Sequence, residues 1–447
     1  GSAKKTKDMR TKSLSLLILS ASLFAACNSS NRKTETADTV HAATEIDTLN
    51  LPAPDTTASK NNFSKVIDWP ANKTPQAPEG FVVSKFADQM KSPRNIVIAP
   101  NGDILVALSN SERSVAEQVV NKISGKAKSE VSGKSVNTIL LFRDSNQDGV
   151  PEVKTTFLTG LNQPYGMAFI ENSFYVANTD GLWVFPYKSG DTKITGVGKK
   201  IVDLPAGGYN NHWTRNLLVS KNNDKIYISV GSGSNVGENG MEHEVRRAAI
   251  LEVNPDGTGE RIFASGLRNP VGMDWAPTTN MLWTAVNERD GLGDDLVPDY
   301  ITSVKQGAFY GWPYAYFGQH EDPRLKGANP ELVKKTIVPD VAVGSHTASL
   351  GLAFYTNNKF PVKYHGGAFI GQHGSWNRSK FSGYKVAFVP FKDGKPTRPL
   401  QDFLTGFIAD GNKSEVYGRP VGVAVAPDGA LLVADDVSGI IWRVAVK

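Results

Sequence analysis

Short apolar runs separated by turn-forming polar residues recur along most of the chain, and the recurrence has a unit. Residues 92–110 read SPRNIVIAPNGDILVALSN: a proline near the start, an apolar run, a Pro-Asn-Gly turn and a second apolar run. Variants follow at 162–185 (NQPYGMAFIENSFYVANTDGLWVF), 212–232 (HWTRNLLVSKNNDKIYISVGS), 268–288 (RNPVGMDWAPTTNMLWTAVNE), 349–374 and 418–444, which makes six copies. Each is a hairpin pattern, two β runs joined by Asn, Asp, Gly or Pro, and no comparable helical periodicity intervenes. An isolated hairpin cannot bury its faces, so six units of roughly 50 to 80 residues predict radial packing, an all-β six-bladed β-propeller with four strands per blade. A pair of β-sandwiches is the competing arrangement and suits six like units less well. The run GFVVSKFA at 80–87 precedes the first unit and the last copy nears the C-terminus, so the N-terminal strand is expected to complete the final blade.

Outside the repeats the pattern changes. Residues 1–8 read as an expression remnant, and Met9-Arg10-Thr11-Lys12 followed by SLSLLILSASLFAAC reads as an export signal ending at Cys27, the only cysteine. LFAAC resembles the lipobox of bacterial lipoproteins, in which that cysteine is lipidated; the apolar run is short for a bilayer span. The expectation is an exported protein of a bacterial periplasm or cell envelope, touching membrane only through a lipid anchor at Cys27. The domains are then signal and lipobox over 1–27, a flexible polar linker over 28–77 and the propeller over 78–447. Residues 111–135, polar and helix-leaning, read as an exposed insertion that shapes access or docks a partner.

Composition narrows the picture. The 447 residues are 40% hydrophobic and 21% charged, with 42 Gly and 25 Pro, an ordinary globular balance rich in turns. The net charge of +5 is small and forms no basic stripe in the body of the chain, so nucleic acid is not an expected partner. In a propeller, residues that open equivalent repeats converge on one end of the axis. Here those are Arg94, Gln163, His212, Arg268, His346 and Arg419, a cationic set unsuited to a purely structural hub.

His212 lies in GGYNNHWTRNLLVS (207–220). With GLRNPVGMDW around Arg268 and Asn269, YGWP at 310–313, the PDG turns at 255–257 and 427–429, and HGSWNRS at 373–379, this order of motifs resembles the soluble glucose/sorbosone dehydrogenases, propellers that use pyrroloquinoline quinone (PQQ). The likeness spans about residues 78–447. It implies oxidation of an aldose or related sugar at the anomeric carbon, with hydride passing to PQQ C5 and electrons leaving to a quinone or cytochrome. His212 matches the general base, and Arg268 the cation that polarises the quinone. Asn269, Asn211, His346, Thr347, Arg378 and Arg419 match cofactor-binding positions, and Trp376 and Trp213 match substrate-binding ones. The family also uses Ca2+; NERDGLGDDLVPD (287–299) offers Glu288 and Arg289 through carbonyls and Asp294 or Asp295 through a carboxylate.

Departures are visible too. Where the glucose enzymes carry a second arginine, two residues beyond Arg419, this chain has Val421, and the lysine of their fifth blade is missing; HGSWNRS is closer to the sorbosone branch. DSNQDGVPE (144–152) sets Asp144, Asn146 and Asp148 at the spacing of half an EF-hand loop, a second calcium candidate or a plain Asx turn. His243 with Arg246 and Arg247 lines the same face as His212 or a solvated loop. Two other function classes stay open: a calcium-dependent propeller lactonase, and a non-catalytic propeller binding carbohydrate or protein.

Overall fold

The computed structural model describes residues 50–57 and 60–447 of the chain. The expected signal and lipobox with Cys27 and the first part of the expected linker lie outside those residues.

Six four-stranded antiparallel sheets follow one another along the described chain. Their first strands are Pro93–Ile98, Gly166–Ile170, Leu217–Val219, Pro270–Trp275, Ser349–Phe354 and Pro420–Val425. These six touch in cyclic order, the last returning to the first, which is the inner ring of a propeller-type arrangement. Phe81–Ala87 closes it by pairing antiparallel with Ile440–Val446, Phe81 opposite Val446, as the outermost strand of the last sheet.

The repeated glycine of the inner strands has a steric reason. A Cβ at Gly166, Gly272, Gly351 or Gly422 would collide with the backbone of the next inner strand, so the pattern Gly-apolar is the signature of hub packing. Between successive sheets lie six apolar clusters, one per interface; Leu105, Phe157 and Phe174 join the first sheet to the second, for example. A seventh, Tyr165, Val271, Leu350 and Val421, sits among the inner strands. Val421 is fully buried there, which explains why no second arginine occupies that position: a guanidinium in this apolar group would be uncompensated.

The flexible linker expected over 28–77 is corrected for its second half. Lys65–Val66 pairs in parallel with Glu415–Val416. Trp69 is buried against Phe407, Tyr417 and Trp442, and its Nε1 donates to Asp435 Oδ2 at 2.8 Å. Trp442 donates to the same oxygen and the Arg419 amide to the other one. Trp69 and these backbone pairings hold the stretch against the body of the protein.

Candidate active site

The loop ahead of the third inner strand is built by one buried guanidinium. Arg215, with no exposed surface, donates to the carbonyls of Thr179, Pro205, His212 and Thr214 and to Asn210 Oδ1. Five acceptors on one rigid fork fix the path of residues 205–215, which is why asparagines and glycines crowd the stretch before a strand. The Asn211 amide donates to the Gly233 carbonyl at 3.0 Å, tying this loop to the next one.

His212 is thereby held in a cavity wall. Its Nδ1 lies 2.8 Å from the Ser232 carbonyl oxygen and 3.0 Å from Ser232 Oγ. A carbonyl only accepts, so Nδ1 carries the hydrogen and Nε2 keeps its lone pair. Burial, with Arg268 adding to it, pushes the imidazole well below its usual 6.5, so it is neutral near pH 7. Ser232 Oγ donates to the Ser234 carbonyl, and Ser234 Oγ to the buried Glu244, so the partner loop is itself fixed.

The cavity is about 190 Å3 and opens at the starts of the inner strands. Arg268 faces it from the fourth sheet, its guanidinium donating to the Asn235 carbonyl and side chain and the Asn287 carbonyl, with Asp290 at 3.9 Å. Asn269 beside it is buried, and its side-chain oxygen has no partner. Asp290 is bonded by His346 Nδ1 at 3.0 Å, while His346 Nε2 donates to the Gly293 carbonyl. Burial works against charge on both and is the largest single influence, but their mutual bond and charges, with Arg268 added for Asp290 and the Gly293 carbonyl for His346, together outweigh it, lowering Asp290 and raising His346. A second acid hub mirrors this one. Asp436 takes Arg94 Nη1 at 2.9 Å and His373 Nε2 at 2.8 Å. Burial, with Arg419 nearby, presses His373 down to about 4. Arg419 donates to the carbonyls of His373, Gly374 and Ser129.

Aromatic faces complete the wall. Trp213 lies under the Arg94 guanidinium and donates to Ser111 Oγ; Trp376 stacks on Phe63 with rings 5.6 Å apart and nearly parallel. A larger cavity of about 510 Å3 opens at the other ends of the inner strands, but its lining is chiefly apolar strand, with Asp274 its one carboxyl. The titratable side chains gather in the smaller one.

Of the residues expected at the site, His212, Trp213, Asn211, Arg268, Asn269, His346, Trp376 and Arg419 line this single cavity. Others do not. Thr347 Oγ1 donates to buried Asp299, beneath the surface, so it offers no group to a ligand. Arg378 turns to Asp295 at 3.5 Å and lies outside the cavity wall. The carboxylates expected to bind calcium lie elsewhere. Asp294 accepts the Ser379 amide, and both Asp294 and Asp295 line a separate surface pocket with Asp55. The Arg289 side chain pairs with Asp322, 2.6 Å away, and the Glu288 carboxyl is buried and pushed up to about 7 by desolvation; neither bears on the main-chain carbonyls expected as ligands. The loop's carboxylate in the cavity is instead Asp290, already shared by Arg268 and His346, and the side chains there do not gather as a calcium cage. His243 is exposed and Arg246 pairs with Glu260, so neither reaches the cavity.

Among the described residues, metal-capable side chains do gather in threes at Asp144, Asp148 and Glu152, whose ligand atoms all lie within 4.8 Å of one another. Glu152, ninth in the loop, extends the Asp144, Asn146, Asp148 set; Asn146 Nδ2 donates to Asp148. This loop is at the end of its sheet remote from the cavity, since Leu108 pairs with Thr138 at the cavity end and Ile104 with Phe142 at the other.

Arg94, His373 and Asp436 belong to the wall as well. Asp436 was missed, although its place just after the last inner hairpin, in VADD, mirrors the other hub positions.

The sequence model of a family described as TrAA12-like matches residues 75–313 and 322–447. The chain is 34% identical over 110 residues to the aldose sugar dehydrogenase YliI of Escherichia coli, covering 24% of this chain and 28% of that protein. It is 25% identical over 299 residues to a pyrroloquinoline quinone-dependent pyranose dehydrogenase of Coprinopsis cinerea, covering 53% of this chain and 40% of that one. The matches thus span less than half of either relative. The PQQ domain of pyranose dehydrogenase from Coprinopsis cinerea, in its holo form, superimposes with a TM-score of 0.66 at 19% identity, covering 86% of this chain and all of that one.

Proposed function

The chain belongs to the TrAA12-like family, and on that premise we propose that it is a PQQ-dependent dehydrogenase oxidising an aldose or related sugar, sorbosone-type substrates included, at the anomeric carbon. The six sheets are then the six blades of its propeller. One observation carries the reading: a neutral imidazole with a free Nε2, a buried arginine and a buried asparagine share a cavity walled by cations and tryptophans.

The residues fit the group. PQQ, when bound, supplies a two-electron acceptor on a planar frame bearing three carboxylates. Such a ligand needs fixed cations and hydrogen-bond donors, which the cavity wall offers. His212 Nε2 takes the proton of the sugar hydroxyl being oxidised. Arg268 and Asn269 would hold the quinone oxygens, where a fixed cation favours the charge that develops in the transition state over the ground state. Trp213 and Trp376 offer apolar faces to the sugar ring. Calcium would be held by the 144–152 loop at the fold's far end and, nearer the cofactor, by the main-chain carbonyls of Glu288 and Arg289. The electrons leave to a quinone or cytochrome, and the chain works at the cell envelope behind a lipid anchor on Cys27.

A metal-dependent hydrolase wants carboxylates free to converge on an ion. The two carboxylates of the hubs, Asp290 and Asp436, are each held by an arginine and a histidine instead. The test is reconstitution with PQQ in calcium-containing buffer and a screen of aldoses and polyols with an artificial electron acceptor. PQQ-dependent dye reduction on at least one sugar supports the reading, and its absence across the panel rejects it.

A further inference from the structure

The 111–135 insertion is not a surface ornament. Its helix Val115–Ser124 is fixed at the start by a capping box between Ser114 and Glu117 and stopped by Gly125 at φ 84°. The chain then turns back over the cavity. Ser111 Oγ accepts from Trp213 Nε1 at 2.8 Å, and the Ser129 carbonyl accepts from Arg419 Nη1 at 2.7 Å. Asn110 clamps the two ends of the insertion, donating to the carbonyls of Ser111 and Gly133. The segment is therefore bonded to two residues of the cavity wall, and it brings Arg113 and Lys126 into that wall.

The cations of the wall are not equivalent. Arg94 is matched by Asp436, Arg268 by Asp290 and Arg113 by Glu130 at 3.7 Å, while Arg419 is occupied by three carbonyls. Lys126 differs. Among the described residues its ammonium has neither a hydrogen-bond acceptor nor an ion-pair partner, and it stands 5.2 Å from the centre of the Trp376 ring. A half-buried ammonium with three unused donors, beside Arg113 and Arg419, is arranged for an anion that comes with the ligand.

We propose that Lys126 pairs with a carboxylate of the cofactor, so that the insertion completes the cofactor pocket with the cation that the fifth sheet and Val421 do not provide. The inference rests on the PQQ reading above and assigns this segment a binding role within it. A loop inserted between the second and third strands of the first sheet thus supplies charge that the inner strands, packed apolar at Val421, have no room for.

Calorimetric titration of PQQ into the unloaded protein in calcium-containing buffer tests it without recourse to activity. Lys126→Met is expected to weaken binding about 10- to 100-fold, the range of a charge-assisted hydrogen bond. Lys126→Arg should recover most of that loss. Lys128→Met, exposed on the same turn, should leave affinity within about two-fold, as expected for a solvent-screened surface charge. The PQQ trimethyl ester should bind wild type and Lys126→Met alike, because the carboxylate charge is gone. Equal PQQ affinity of wild type and Lys126→Met, with unchanged melting of the unloaded proteins, overturns the assignment of Lys126 and leaves the PQQ reading standing. A wild-type chain that takes up no PQQ overturns both.

Discussion

His212 Nδ1 donates to the carbonyl oxygen of Ser232 at 2.8 Å, and this one bond decides which ring nitrogen is free. The proton sits on the buried side, so the basic nitrogen is left for the ligand. Replacing His212 with Asn keeps a donor toward Ser232 but removes the base. Turnover of the PQQ-loaded protein should fall about 10²- to 10⁴-fold, the usual worth of a general base, with PQQ affinity unchanged. Steady-state kinetics beside a binding titration check it; an undiminished kcat would remove His212 from the chemistry.

The acid limb of the pH profile follows from the same residue. Burial and Arg268 hold its pKa well below 6.5, so falling pH does not protonate it where an ordinary histidine would titrate. The kcat should stay level through pH 6.5 and decline only below it. An inflection at or above 6.5 would mean that a different or a solvated group is the base.

Arg215 should matter although it reaches no ligand. Arg215→Met strips the donor from five acceptors around the His212 loop, three of them buried, and each buried one costs about 1–3 kcal/mol when left unmade. The expected result is a melting temperature lower by at least several degrees together with a depressed kcat. A variant that melts and turns over like wild type would show that the loop holds itself.

Trp69 is the test of where the folded body begins. Trp69→Ala empties a buried site among Phe407, Tyr417 and Trp442 and leaves Asp435 one donor short. A loss of about 3–5 kcal/mol in urea unfolding is expected, in line with large aromatic truncations in cores. A loss under 1 kcal/mol would make 60–77 a tether after all.

Glu288 gives a stability slope with a fixed sign. Burial lifts its carboxyl from 4.5 to about 7 in the folded chain, so between those values the folded state holds a proton that the unfolded state has released. Its contribution is present below pH 4.5 and is lost as pH rises toward 7. Glu288→Gln removes that loss. Its melting temperature relative to wild type should climb between pH 5 and pH 8; a difference independent of pH would mean that the carboxyl is ionised throughout.

The sequence carried the ring well, because hub glycines, hairpin turns and apolar runs are local and recur six times. It also carried the residues that open the repeats, since equivalent positions must converge once the ring closes. What it missed depends on contacts between distant segments. The carboxylate of the 287–299 loop that faces inward is Asp290 and not Asp294 or Asp295, because His346 and Arg268 draw it there from other parts of the chain. Arg378 has the right charge beside Trp376 but is drawn to Asp295. The insertion looked like solvent-facing polarity, and only its bonds to Trp213 and Arg419 make it part of the site.

The central claim is that one cavity holds PQQ between His212 and Arg268 and lets a sugar reduce it. It is tested most directly by a single-turnover experiment: PQQ-loaded protein mixed with excess aldose, without acceptor, followed at the cofactor's absorbance. The account predicts a sugar-dependent bleach of one equivalent in wild type, slowed by two or more orders of magnitude in His212→Asn, as loss of a general base requires. Bound PQQ that no aldose or polyol bleaches, or a bleach equally fast in His212→Asn, would contradict it.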